Sequence, residues 1–244
     1  MMTTTPSAPV FTVVPAHERA HADAGWLDTY YSFSFADYHD PQNVHWGALR
    51  VFNDDTVAAG EGFPMHPHRD MEIVTYVLSG ELAHRDSMGN EGIVGPGGVQ
   101  FMSAGTGVRH SEYNARRDEP LHLVQMWILP GRLGTTPSYG EMAFDAASRH
   151  NRWLNVVSGD PRVEAPIRIT QTATFKVARL DGGAVKHEFA PRRYGFLFLA
   201  SGNATVNGAS LKAGDAVKSY GVRSLEISGD GEVVLWDLPD VSVI

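Results

Sequence analysis

The chain has 244 residues, 20 Lys and Arg against 28 Asp and Glu, a net charge of −8, and no cysteine. The missing cysteine excludes disulfides, thiolate metal sites and Cys nucleophiles, so any metal must be held by His, carboxylate or water. The densest basic groups are only the pairs Arg116-Arg117 and Arg192-Arg193, which excludes the clustered charge that direct nucleic-acid binding needs, and no apolar run is long enough to span a bilayer.

Residues 1–9 are polar, rich in Thr and Pro, and lack the pattern of a signal peptide; a mobile N-terminus on a soluble cytoplasmic protein is expected. The 25 Gly and 14 Pro recur between short segments rich in Val, Ile, Phe and Tyr, which predicts many strands joined by tight turns. Residues 73–78, 123–128, 196–199 and 233–236 read as strands, and only residues 16–24 and 144–149 offer helical turns.

The first chemical signal is His66-Pro67-His68. Residues two apart on a strand share a face, so both imidazoles reach one point. Pro67 lacks an N–H and places the segment at a strand start or sheet edge. Alone, the pair reads as two ordinary polar residues near a turn. Glu72 follows with the same strand parity, and His110-Ser111-Glu112 supplies a second i, i+2 pair. Three neutral imidazoles and a carboxylate suit one divalent transition metal: Fe(II), Ni(II), Mn(II), Zn(II) or copper. Spacing does not choose between Glu72 and Glu112. His84 and Asp86 read as a surface hydrogen-bonded pair, and His122 as a satisfied strand histidine. Phe63, Met65, Met71, Phe101 and Met102 are candidates for a cavity mouth.

Residues 129–138, with two Pro and two Gly, form the linker candidate. On either side lies a weak repeat: an apolar strand, a Ser-Gly turn (Ser79-Gly80, then Ser201-Gly202), a further strand, and a Gly-containing turn into another strand. Two copies predict two similar β-barrels, residues 1–139 and 140–244. In the second copy His187 stands near the metal motif's place, but Phe189 occupies i+2, so no metal is expected there.

Gly60-x5-His66-x-His68-x3-Glu72 resembles the first cupin motif, with seven rather than six residues before Gly80, and Gly107-x2-His110-x3-Asn114 resembles the end of the second. The runs Ser32-Phe33-Ser34-Phe35-Ala36, Gln100-Phe101-Met102-Ser103-Ala104-Gly105-Thr106-Gly107 and His110-Ser111-Glu112-Tyr113-Asn114 narrow the resemblance to the pirin family. It is strong over about residues 25–140 and general beyond. The resemblance implies an all-β fold of two tandem cupin (double-stranded β-helix, jelly-roll) barrels. It implies a metal held by His66, His68, His110 and Glu112, most often Fe(II), with Glu72 behind the ligands. It also implies opening of flavonols such as quercetin with dioxygen, Glu112 taking the substrate proton. Its alternative is a redox-responsive regulator acting through a protein partner; sugar isomerisation is a distant third reading. The sequence departs from many bacterial members at Tyr31, where they carry His, and His45 is the candidate to compensate.

Overall fold

The structure, a computed structural model, describes residues 6–241, so residues 1–5 of the N-terminal stretch lie outside it. Its strands are β1 (Val10–Val14), β2 (Ala20–Asp23), β3 (Leu27–Tyr31), β4 (Leu49–Val57), β5 (Gly62–His68), β6 (Glu72–Ser79), β7 (Leu82–Asp86), β8 (Glu91–Val94), β9 (Val99–Ser103) and β10 (Val108–Asn114). They continue as β11 (Leu121–Ile128), β12 (Ser138–Met142), β13 (Leu154–Ser158), β14 (Ile167–Arg168), β15 (Thr174–Glu188), β16 (Tyr194–Leu199), β17 (Asn203–Val206), β18 (Ala209–Lys212), β19 (Ala216–Tyr220) and β20 (Ser224–Leu238). All four strand segments expected from the sequence lie inside β6, β11, β16 and β20. The helical expectation shrinks to two 3-10 turns, Ala16–Glu18 and Ala146–Arg149; residues 20–23 are strand instead, because they pair with β3. No helix among the described residues is long and apolar enough to cross a membrane.

The chain forms two compact units. One comprises residues 20–44 and 49–144. Its seven-stranded sheet runs β12-β9-β6-β11-β4-β3-β2, and a four-stranded sheet runs β5-β10-β7-β8. Val57, Val77, Leu82, Val94, Leu121 and Leu123 make one buried cluster drawn from both sheets, and Ile73, Met102, Ala104 and Val108 another.

Of the described residues, the other unit comprises 6–19, 45–48 and 145–241. Its nine-stranded sheet is ordered β1-β19-β16-β20-β15-β13-β14, with β17 pairing β18 and β20. Thirteen buried residues, among them Ala178, Leu180, Leu197, Leu199, Val217, Leu225 and Leu235, form its core.

The division expected between residues 139 and 140 therefore differs from the structure in two respects. It falls inside β12, whose pairing with β9 carries the first unit through residue 144. In addition, β1 pairs along its length with β19, so the N-terminal strand belongs with the C-terminal half. The Ser-Gly repeat is real: Gly80 and Gly202 sit at φ +77° and +82° between corresponding strands. A side chain at either would strike backbone of the facing segment, so glycine alone fits.

Gly62 is constrained by closeness, not by φ. A Cβ there would collide with the backbone of Glu112 and Tyr113 on β10. Gly62→Ala must push β5 away from β10, an overpacking that costs about 1–3 kcal/mol. The expected outcome is a melting temperature lower by about 2–4 °C for each kcal/mol lost. An unchanged melting temperature would show that β5 is not held this tightly.

Candidate metal centre

The two His-containing segments meet because β5 and β10 are antiparallel neighbours. His110 lies directly opposite His66, and Val108 opposite His68. Cross-strand partners share a face, so three imidazoles converge. Ring centroids are 4.5 Å apart for His66 and His110, and 4.8 Å for His66–His68 and for His68–His110. Their ring nitrogens include one from each residue within 4.8 Å of the others.

Strand β10 continues through a register shift between His110 and Glu112. On its other side it pairs with β7, which sets His110 against Asp86 and Glu112 against His84. His84, His110 and Glu112 form a second group of donors within 4.8 Å. Glu112 stands in this group and not in the three-histidine one; its nearest histidine nitrogen is Nε2 of His110 at 4.0 Å. The reading of His84 and Asp86 as a surface pair is thus corrected. Both side chains are wholly buried, and Nε2 of His84 lies 3.3 Å from Asp86 Oδ2.

Glu112 is fixed from the facing sheet. Gln100 Nε2 donates to its Oε1 at 2.5 Å and Gln125 Nε2 to its Oε2 at 2.8 Å. Trp127 Nε1 donates to Gln125 Oε1 at 3.1 Å, which turns that amide's N–H groups toward the carboxylate. Both glutamines belong to one rung of the seven-stranded sheet: Tyr31 pairs with Asn53, Asn53 with Gln125, Gln125 with Thr75, and Thr75 with Gln100.

The same register removes Glu72 from the centre. It lies three residues from Thr75 along β6, hence on the opposite face of the sheet. Parity counted from His68 fails because the chain turns at Asp70, which has a φ of +48°. Glu72 is buried and belongs to neither donor group.

Electrostatics favour lone pairs over protons here. Burial, then the neighbouring His110 and His66, lowers the His68 pKa to about 4. Burial, then His66 and His84, lowers that of His110 to about 3. Both are neutral at pH 7, the form that ligates metal. Neither ring nitrogen of His110 has a hydrogen-bond partner although the residue is 1% exposed. His66 Nδ1 lies 2.7 Å from the Pro64 carbonyl oxygen, which leaves Nε2 for the centre. A neutral imidazole keeps one N–H and one lone pair, and a buried lone pair without a partner is costly unless a cation takes it. The donor set therefore fits a divalent transition metal.

The imidazoles of His66 and His68 line a cavity of about 320 Å³ with Glu112. Its apolar wall includes Leu27, Tyr31, Phe35, Phe63, Met65 and Trp127. Phe101 and Met102 are buried, and Met71 packs against the cluster that contains Met102, so the expected mouth reduces to Phe63 and Met65. Tyr31 faces the cavity; His45 Nδ1 lies 3.0 Å from the Gly47 carbonyl oxygen within the other unit. Sequence reasoning also missed Asp55, a buried cavity residue that accepts from Thr29 Oγ1 at 2.5 Å. Burial, opposed by that bond and aided by Asp54 and Glu112, raises its pKa to about 7. In the other unit His187 is engaged by Asp237 Oδ2 at 2.8 Å and Lys176 Nζ at 3.1 Å.

Comparison with known proteins places these features in a family. A family model described as Pirin matches residues 13–128, and one described as quercetinase C-terminal cupin domain matches residues 155–238. The chain is 44% identical over 229 residues to quercetin 2,3-dioxygenase of Escherichia coli strain K12, covering 93% of this chain and 97% of the relative. It is 41% identical to a pirin-like protein of Caulobacter vibrioides, over 91% of this chain and 97% of that one. The crystal structure of the bacterial pirin YhhW from Escherichia coli in complex with nickel(II) superposes with a TM-score of 0.88 at 41% identity, covering 95% of this chain and all of that one.

The Asp55 environment gives a signed pH dependence. The folded carboxyl, at about 7, holds a proton that the unfolded one releases near pH 4. Stability from this group is thus fully present below the unfolded value and lost as pH rises through about 7. Asp55→Asn keeps an acceptor for Thr29 without the charge. The variant should exceed wild type at pH 8 by on the order of 2–4 kcal/mol, with the gain reduced to less than half at pH 5 and gone only below about pH 4. Denaturant melts at the two pH values test this; a pH-independent difference counts against a protonated Asp55.

Proposed function

The chain belongs to the pirin family, and on that premise we propose that it is a metal-dependent dioxygenase that opens flavonols such as quercetin with dioxygen. The observation that carries this reading is the convergence of His66, His68 and His110 at an aromatic-walled cavity. The quercetin 2,3-dioxygenase relative supports it.

His66, His68, His110 and Glu112 are the proposed ligands of one ion. Iron(II) is the proposed metal; nickel, manganese, zinc and copper suit the same nitrogen and oxygen donors, so loading follows availability. Such an ion supplies Lewis acidity toward a flavonol's hydroxyl and adjacent carbonyl, and redox chemistry toward dioxygen.

The chain's own residues do the rest. Phe35, Phe63 and Trp127 receive a flat aromatic substrate and exclude water from the histidines. Glu112 accepts the substrate's hydroxyl proton at a carboxylate oxygen. Its two glutamine bonds hold that oxygen in place and leave further lone pairs on both oxygens. Asp55, in the same cavity, is a second carboxyl that holds or releases a proton near neutral pH. Tyr31 replaces the histidine of many relatives on the cavity wall and is the residue that sets a different substrate preference.

The test pairs metal analysis with turnover. Iron-loaded protein given quercetin in air should bleach the flavonol band and release carbon monoxide. The double variant His66→Ala/His110→Ala should carry no stoichiometric metal and do neither. Loaded wild type that leaves quercetin intact, or a variant that keeps its metal, rejects the proposal.

A further inference from the structure

We propose that the centre contains a second, inner cation seat built by His84, His110 and Glu112, where a divalent transition metal rests out of reach of substrate. This rests on the metal reading above and adds a ligand, His84, and a position to it.

The seat follows from the β7–β10 register. Glu112 faces His84 across the ladder, and His110 faces Asp86. One donor atom from each of His84, His110 and Glu112 lies within 4.8 Å of the other two, and all three residues are buried. Donors two bond lengths apart through a shared ion fall in this range.

The behaviour of His84 identifies it as a ligand in waiting. Asp86 already accepts from the backbone N–H groups of Met88 and Asn90 at 2.8 and 3.0 Å and from Asn90 Nδ2 at 2.8 Å. As a carboxylate it can only accept, so His84 must present an N–H at Nε2. The lone pair is then on Nδ1, which is buried without a hydrogen-bond partner. Tyr139 stacks on the ring at 4.1 Å between centroids and fixes its plane. A histidine with one nitrogen tied to a buried carboxylate and the other left without a partner is the arrangement of metal-bound imidazoles. The amides of Gln100 and Gln125 donate to Glu112 and leave that lone pair unpartnered.

Because His110 belongs to both groups of donors and Glu112 is a proposed ligand in each seat, one ion is held at a time. In the outer seat it meets His66, His68 and the cavity. The inner seat draws on His84, which does not line that cavity. Metal content and activity are therefore separable.

The experiment removes the outer seat alone. His66→Ala/His68→Ala protein, dialysed against cobalt(II), should keep roughly one ion per chain, with a visible cobalt spectrum altered from wild type. Adding His84→Gln, which retains an N–H for Asp86 but removes Nδ1, should abolish the bound cobalt and that spectrum. Circular dichroism melts of each variant verify the fold. A folded His66→Ala/His68→Ala variant without cobalt overturns the inner seat and leaves the outer-site reading intact. Cobalt that persists unchanged in the triple variant also overturns it. Wild-type protein that takes up no metal at all overturns both.

Discussion

The Glu112 carboxylate, gripped by two glutamine amides, is the interaction on which the rest of the centre depends. Glu112 projects from the four-stranded sheet, whereas Gln100 and Gln125 project from the seven-stranded one. The bonds therefore set the spacing of the two sheets as well as the rotamer of a candidate ligand. A hydrogen bond to a buried charge contributes about 1.5–3 kcal/mol, and losing its partner costs more because the charge is stranded. Trp127 extends the constraint, since its indole N–H fixes the Gln125 amide while its ring meets His68 edge-on at 4.8 Å. One chain of contacts thus links the cavity wall, the carboxylate and the imidazoles.

The two units spend their buried polar groups differently. In the C-terminal unit, His187 lies between Asp237 and Lys176, and Arg193 adds a 2.6 Å bond to Asp237. Cations and anion satisfy one another there. In the other unit both nitrogens of His110 and Nδ1 of His84 lack partners. Among the described residues, buried imidazole nitrogens without a hydrogen-bond partner occur at these two histidines alone, and an unsatisfied buried nitrogen is the pattern a cation-binding site leaves.

Much of this was legible in the sequence, because β-strand periodicity needs no tertiary knowledge. The i, i+2 spacings of His66 with His68 and of His110 with Glu112 lie within single strands, and the Ser-Gly turns mark the repeat on local grounds. What was hidden is register between strands. His84 looked like a surface residue because nothing local to residues 82–86 says that β10 lies alongside. Gln100, Gln125, Asn53 and Asp55 are spread over three strands, and only pairing assembles them into one wall. Glu72 failed for the complementary reason: parity was carried across the turn at Asp70, where alternation restarts. The pairing of β1 with β19 spans over two hundred residues and has no local signature at all.

Strand β5 shows how a sheet edge can serve as an entrance. It is the outer strand of its sheet and bonds only to β10. Pro64 and Pro67 remove two N–H groups from it, which blunts the edge against pairing with another chain. That protection leaves His66 and His68 partly exposed beside the cavity, while His110 and Glu112 on the next strand are 1% and 3% exposed. Burial therefore deepens from β5 to β10, and His84 on β7 beyond it is buried as well. The sequence that gathers the imidazoles also blunts the edge, because Pro67, which removes an N–H there, biases His66 toward the extended conformation that turns its ring to the same face as that of His68.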